Sequence, residues 1–82
     1  MRVSYTFQLT AICPVDSLPD VYECVISAHR IIKVEDILQI AAELQTKSAF
    51  QEEICQELHR RLACCVTLIG YHSGVRTEVV CG

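Results

Sequence analysis

The sequence lacks any long apolar run, and no stretch approaches the roughly 18 consecutive apolar residues that a membrane helix requires. Its N-terminus also lacks a basic stretch followed by an apolar core, the pattern of a secretory signal. We therefore expect a cytoplasmic protein with no membrane partner. No linker, internal repeat or low-complexity segment divides the 82 residues, so residues 1–82 are predicted to form a single domain.

Positive charge is also scarce, with 7 Lys and Arg against 10 Asp and Glu and a net charge of −3. This balance argues against broad electrostatic capture of nucleic acid, which requires a basic face. The sequence offers one candidate for a local basic patch, Arg60-Arg61.

Cysteine, by contrast, is abundant, with six residues in the chain. Because no secretory signal is seen and Cys64 and Cys65 are adjacent, we expect reduced thiols that mostly fill apolar space. The apolar fraction is 51% and the mean hydropathy +0.31, which is high for a lone small domain. The surplus apolar surface predicts subunit contacts and hence a homo-oligomer.

The spacing of apolar residues changes twice along the chain. Strict alternation predicts strands at Val3–Ala11 and Val21–His29, joined as a hairpin through Cys13–Asp20. Spacings of three and four predict a helix after Lys33 and a second helix with Ser48 as its N-cap. Gln51 would complete the capping box of the second helix, and its buried stripe would comprise Phe50, Ile54, Leu58 and Leu62.

Strand composition returns at Cys65–Tyr71 and Val75–Val80, with His72-Ser73-Gly74 as a tight turn. The order ββααββ predicts an α+β fold, a four-stranded antiparallel sheet with both helices on one face. The other sheet face and both sheet edges would then stay uncovered. We therefore expect copies to join edge to edge into a closed barrel.

Two prolines mark the connection between the first two strands as a turn, because proline fixes φ and lacks an N–H donor. Cys13 ends one strand and Asp20 starts the next, seven positions later. We predict that this thiol and this carboxyl group act on the same small molecule, Cys13 as nucleophile and Asp20 as proton donor. The structural alternatives are a buried small residue for Cys13 and a turn residue for Asp20.

The element order resembles the tunnelling fold shared by GTP cyclohydrolase, pyruvoyl-tetrahydropterin synthase, dihydroneopterin aldolase and the 7-cyano-7-deazaguanine reductases. Cys13-Pro14 and Pro19-Asp20 resemble the reductase motif Cys-Pro-x-Thr-Gly-Gln-Pro-Asp at the same spacing. Residues 50–53, Phe-Gln-Glu-Glu, resemble its Phe-His-Glu-Asp. The chain is thus similar to this family and its QueF-like archaeosine synthases, in a short single-module form.

The chain departs from the reductase pattern in three places. Asp16-Ser17-Leu18 replace Thr-Gly-Gln, and Gln51 replaces the motif histidine. After the second strand, where the reductases carry the NADPH motif Glu-Ser-Lys-Ser-x-Lys, residues 33–38 read Lys-Val-Glu-Asp-Ile-Leu. The archaeosine synthases similar to the reductases also lack this motif, so the resemblance implies no cofactor.

Carried over, the resemblance implies an enzyme that acts on the nitrile of 7-cyano-7-deazaguanine, as a free base or within nucleic acid, through a thioimide on Cys13. Asp20 would donate the proton and Glu52 would bind the substrate base. His72, at a sheet end, is a second substrate-binding candidate near a pocket between subunits. The structural alternatives are a helix-dipole contact for Glu52 and a simple turn position for His72.

Three other functions stay open on the sequence. One is a true NADPH-dependent reductase, and another is a pterin or GTP-ring enzyme of the same fold. The chain has no His-x-His of the kind that holds zinc in the pterin synthases, so we expect no metal. The third is a non-catalytic assembly module. The second reactant could be water, ammonia or hydride.

Overall fold

Two β-hairpins form one antiparallel sheet, in a computed structural model that describes all residues from 1 to 82. Strands β1 (Val3–Ile12) and β2 (Pro19–Ala28) make the first hairpin, and β3 (Cys65–His72) and β4 (Val75–Cys81) make the second. The pairing of β2 with β3 joins the hairpins, which gives the strand order β1-β2-β3-β4. The predicted four-stranded antiparallel sheet is confirmed, and β1 and β4 lie at its edges.

Helices α1 (Val34–Gln45) and α2 (Gln51–Leu62) connect the hairpins and cover one face of the sheet. Alternate strand residues point towards them, because successive side chains of a strand face opposite sides. The core formed there is apolar, with α1 contributing Ile37, Ile40 and Leu44 and α2 contributing Ile54, Cys55, Leu58 and Leu62. Neither helix has the length and apolarity needed to cross a membrane.

The start of α2 differs from the sequence prediction. Its N-cap is Phe50, and the Phe50 N–H donates to Glu53 Oε1 at 2.9 Å, so the predicted cap at Ser48 with Gln51 is wrong. The predicted burial of Phe50 is wrong too, since it is 50% exposed whereas Gln51 is 3% exposed. The reason lies in β1: the Ile12 N–H donates to Lys47 O, and the Ala49 N–H donates to Ile12 O. These bonds hold residues 47–49 extended, which delays the helix.

The connection between β1 and β2 is shorter than predicted. Pro19 already pairs with Ile12 and Asp20 with Ala11, because proline is tolerated as the first residue of a strand. Two backbone bonds close the remaining loop: the Cys13 N–H donates to Leu18 O at 2.8 Å, and the Ser17 N–H donates to Cys13 O at 2.9 Å. Cys13 is therefore held firmly at the end of β1.

The connection between β3 and β4 is a two-residue turn, since His72 pairs with Val75. Ser73 and Gly74 both have positive φ, 51° and 82°, as the tight hairpin turns that follow strand twist require. The predicted turn is confirmed. All six cysteines are free thiols.

Candidate functional site

A cavity of about 220 Å³ lies where β1 ends, β2 begins and α2 starts. Cys13, Asp20, Glu52 and His72 all line it, so the four residues singled out from the sequence lie together. Cys13, Asp20 and His72 are partly buried, and Glu52 is exposed in the first turn of α2. A thiol, two carboxyl groups and an imidazole thus surround a space of small-molecule size.

Asp16 closes the loop that follows Cys13. The Leu18 N–H donates to Asp16 Oδ1 at 3.0 Å. The Leu18 amide and then the Cys13 thiol hold the pKa of Asp16 below its usual value. The Asp16 carboxylate is consequently ionised at neutral pH and braces the loop that carries Cys13.

Tyr22 orients the Asp20 carboxyl group. Both residues belong to β2 and point to the same face, and the Tyr22 hydroxyl donates to Asp20 Oδ2 at 3.3 Å. Burial, and next the nearby Asp20 charge, raise the pKa of Tyr22 well above its usual value. Tyr22 therefore stays a hydrogen-bond donor across the physiological pH range.

A glycine makes room for the Tyr22 ring. A Cβ atom on Gly70 would lie 2.6 Å from Tyr22 Cδ1, well inside van der Waals contact. The ring, 1% exposed, instead packs over Gly70 and beside the imidazole of His72, with ring centroids 6.1 Å apart. Gly70 thus indirectly fixes where the Tyr22 hydroxyl meets Asp20.

Gln51 holds the histidine side of the cavity. Its Nε2 donates to Leu68 O at 2.8 Å and to Thr77 O at 3.1 Å, which fixes the orientation of the side-chain amide. Gln51 Oε1 then accepts from the Thr77 hydroxyl at 2.6 Å and from His72 Nε2 at 3.3 Å. Because an amide oxygen only accepts, His72 carries a proton on Nε2. His72 Nδ1 has no protein partner and is free to accept from a ligand.

Sequence reasoning missed Tyr22 and Gln51 as parts of this site. A signal for Tyr22 existed, since it lies two residues after Asp20 on a strand and so shares its face. Gln51 gave no such signal, because its burial depends on where α2 begins. No group of three or more His, Cys, Asp or Glu side chains is placed to hold a metal ion.

Comparison with known proteins gives a fold and no sequence family. No family model matches the chain, and no curated protein matches it. A crystal structure described as the archaeosine synthase QueF-Like in the apo form superposes with a TM-score of 0.90 at 19% identity, covering 98% of this chain and 90% of that one. The chain has the fold of that synthase. The resemblance to the tunnelling fold is thereby confirmed as architecture, while closure into a barrel stays a prediction.

Proposed function

We propose that this chain is an enzyme that transforms the nitrile of 7-cyano-7-deazaguanine, with Cys13 as the nucleophile. The observation that carries the proposal is that Cys13, Asp20, Glu52 and His72 line the same cavity. The shared fold with a QueF-Like archaeosine synthase supports a substrate of the 7-deazaguanine class.

The residues of the cavity suit addition to a nitrile. The Cys13 sulfur, as thiolate, forms a bond to the nitrile carbon while one carbon–nitrogen π bond opens. The Asp20 carboxylate, held by Tyr22, takes up the proton that leaves the Cys13 thiol and gives it to the nitrogen, and the product is a covalent thioimide. Glu52 accepts hydrogen bonds from the ring N–H and exocyclic amine of the base, and His72 Nδ1 offers a further acceptor.

The proposed reaction needs no dinucleotide cofactor. Attack of ammonia on the thioimide gives an amidine and frees the thiol. Water gives the amide or, through a thioester with loss of ammonia, the acid. Glu35 and Asp36 are exposed at the start of α1, where the reductases carry their NADPH motif. Two carboxylates repel the phosphates of a dinucleotide, which favours water or ammonia over hydride.

Assembly of several copies belongs to the same proposal. The β1 and β4 edges are unpaired in the sheet, and exposed edges tend to pair with other chains. Edge-to-edge joining would bring neighbouring copies close to the cavity. Sedimentation equilibrium at micromolar concentration is expected to give a mass of several times 9.2 kDa, and a mass of 9.2 kDa would refute the assembly.

Intact mass spectrometry tests the enzymatic proposal. The purified chain is incubated with 7-cyano-7-deazaguanine, as free base and within tRNA, with ammonia, with NADPH and with neither. We expect a Cys13 adduct and a product that does not depend on NADPH. Cys13→Ala should abolish both, while Cys65→Ala, which removes another partly buried thiol, should retain them.

Each other result of this experiment has a defined meaning. Absence of adduct and product in every arm would refute the proposal. A product that forms only while NADPH is consumed would replace it with the reductase function. Full activity of Cys13→Ala would exclude a thioimide on Cys13 as an intermediate of the reaction.

A further inference from the structure

A second cavity, of about 700 Å³, lies at the opposite end of the sheet, where β1 begins, β2 ends and β3 begins. A strand of ten residues spans roughly 33 Å, so this cavity is well separated from Cys13. Arg2, Arg30, His29 and His59 line it together with Gly82, the last residue of the sequence, and no Asp or Glu side chain does. We call it the Arg2–Arg30 cavity.

The two arginines of this cavity are the two that have no carboxylate partner. Arg60 pairs with Glu57 at 2.9 Å and Arg76 with Glu78 at 3.3 Å, and Arg61 pairs with Glu43. These pairs neutralise Arg60 and Arg61, the candidate for a local basic patch in the sequence. In a chain with 10 acidic against 7 basic residues, two unpaired arginines in one cavity mark a local positive site.

Hydrogen bonds orient both guanidinium groups and leave most of their donors free. Arg2 Nε donates to Ser27 Oγ at 3.0 Å, and an Arg30 Nη2 donates to Leu62 O at the end of α2. A guanidinium has five N–H donors in a planar fork that matches phosphate oxygens. Each arginine is therefore positioned by one bond and keeps further donors for a ligand.

Main-chain carbonyl groups orient the two histidines of the cavity. His29 Nδ1 lies 3.3 Å from Met1 O, and His59 Nδ1 lies 2.8 Å from Cys64 O. A carbonyl oxygen only accepts, so both rings carry a proton on Nδ1. Nε2 of each ring has no protein partner and is free to accept a hydrogen bond from a ligand.

We propose that the Arg2–Arg30 cavity binds the phosphate group of a phosphorylated ligand. This goes beyond the proposed nitrile chemistry and does not involve Cys13. A free phosphate or mononucleotide and the backbone of a nucleic acid present the same oxyanion. A polynucleotide bound at the Arg2–Arg30 cavity is long enough to reach the Cys13 cavity at the far end of the sheet, whereas a free phosphate or a mononucleotide is not. Binding of a polynucleotide at this site would therefore favour a substrate base held within nucleic acid.

Phosphate titration followed in ¹H–¹⁵N spectra tests this site. Inorganic phosphate, AMP and a labelled single-stranded RNA are added separately to the wild-type chain and to variants. We expect shifts at residues of the Arg2–Arg30 cavity and at least tenfold weaker binding in Arg2→Gln/Arg30→Gln. Arg60→Gln/Arg61→Gln removes the same charge from ion-paired positions and should change binding less than twofold.

The RNA arm distinguishes the two sources. Each neutralised phosphate contributes about 0.7 to the salt slope of single-strand binding, so the Arg2→Gln/Arg30→Gln variant should lose up to about 1.4. A smaller salt slope of RNA binding in this variant supports a polynucleotide as the ligand. If the variant loses binding of phosphate and AMP but binds RNA like the wild type, the ligand is a small molecule. The proposal would be overturned if none of the three probes shifted the signals of residues in this cavity. It would also be overturned if the two double variants bound the probes equally weakly.

Two controls keep the result interpretable. Arg30 bonds to the end of α2, so if the double variant unfolds by circular dichroism, Arg2→Gln alone is used, because Arg2 is exposed and bonds only to Ser27. Cys13→Ala should bind phosphate like the wild type. Failure of the nitrile chemistry and failure of this site are therefore distinguishable.

Discussion

At the scale of single residues, the geometry of the candidate site depends on contacts made behind it. Asp20 takes its orientation from Tyr22, and the Tyr22 ring takes its place from the missing side chain of Gly70. His72 takes its tautomer from the Gln51 amide, which two backbone carbonyls hold. The groups facing the cavity are thus positioned by buried neighbours.

Tyr22→Phe removes the hydroxyl that orients Asp20 and keeps the ring. On the proposed function, we expect kcat to fall about tenfold, which corresponds to about 1.4 kcal/mol, with little change in substrate affinity. Steady-state kinetics and thermal unfolding measure the two effects. An unchanged kcat would show that Asp20 does not depend on this bond.

Gly70→Ala places a Cβ atom against the Tyr22 ring. Overpacking of this kind costs about 1–3 kcal/mol, and we expect a loss of that size in urea unfolding. In a Tyr22→Leu background, which lacks the ring, the same change should cost clearly less. If Gly70→Ala lowered the free energy of unfolding equally in both backgrounds, the close contact between position 70 and the Tyr22 ring would be contradicted.

At the scale of elements, the start of α2 determines which residues face the cavity. Strict alternation predicted β1 and β2 as strands, and helical spacing gave α2 its stripe of Ile54, Leu58 and Leu62. The prediction of Ser48 as the N-cap of α2 was wrong because the hydrogen bonds of Ile12 with Lys47 and Ala49 join residues far apart in the chain, and no local pattern encodes them. This later start buries Gln51 and leaves Glu52 at the cavity.

Glu53→Ala removes the acceptor of the Phe50 N–H and should destabilise the chain by about 0.5–1 kcal/mol, as expected for loss of a helix cap. Ser48→Ala, at the position first predicted as the cap, should change the free energy of unfolding little. Chemical denaturation compares the two. A larger loss in Ser48→Ala would restore the sequence prediction.

At the scale of the whole molecule, buried acids make the fold sensitive to alkali. Burial raises the pKa of Cys24 to about 12, and burial followed by contact with Cys81 raises the pKa of Cys55 to about 12. Burial also raises the pKa of Tyr22. Above the ordinary thiol value of 9.0, the unfolded chain releases protons that the folded chain retains, so stability is full below pH 9 and falls as pH rises.

We expect the free energy of unfolding to fall between pH 9 and pH 11, with each of these groups contributing up to about 1.4 kcal/mol per pH unit. Cys24→Ala should lower stability at every pH but flatten this decline. Leu68→Ala, at the equally buried partner of Cys24 in the sheet, should lower stability and leave the slope unchanged. Urea unfolding under reducing conditions at several pH values measures both.

The sequence by itself determined the order of the elements and singled out Cys13, Asp20 and His72 at one end of the sheet, and the family resemblance added Glu52. The structure places these four residues among those that line one cavity. Periodicity and spacing are local, and seven positions across a short hairpin connection bring Cys13 and Asp20 to the same sheet end. Only the tertiary structure decided where α2 begins, how Tyr22 and Gln51 support the site, and which arginines lack partners. Those features depend on contacts between residues far apart in the chain, and no local pattern records them.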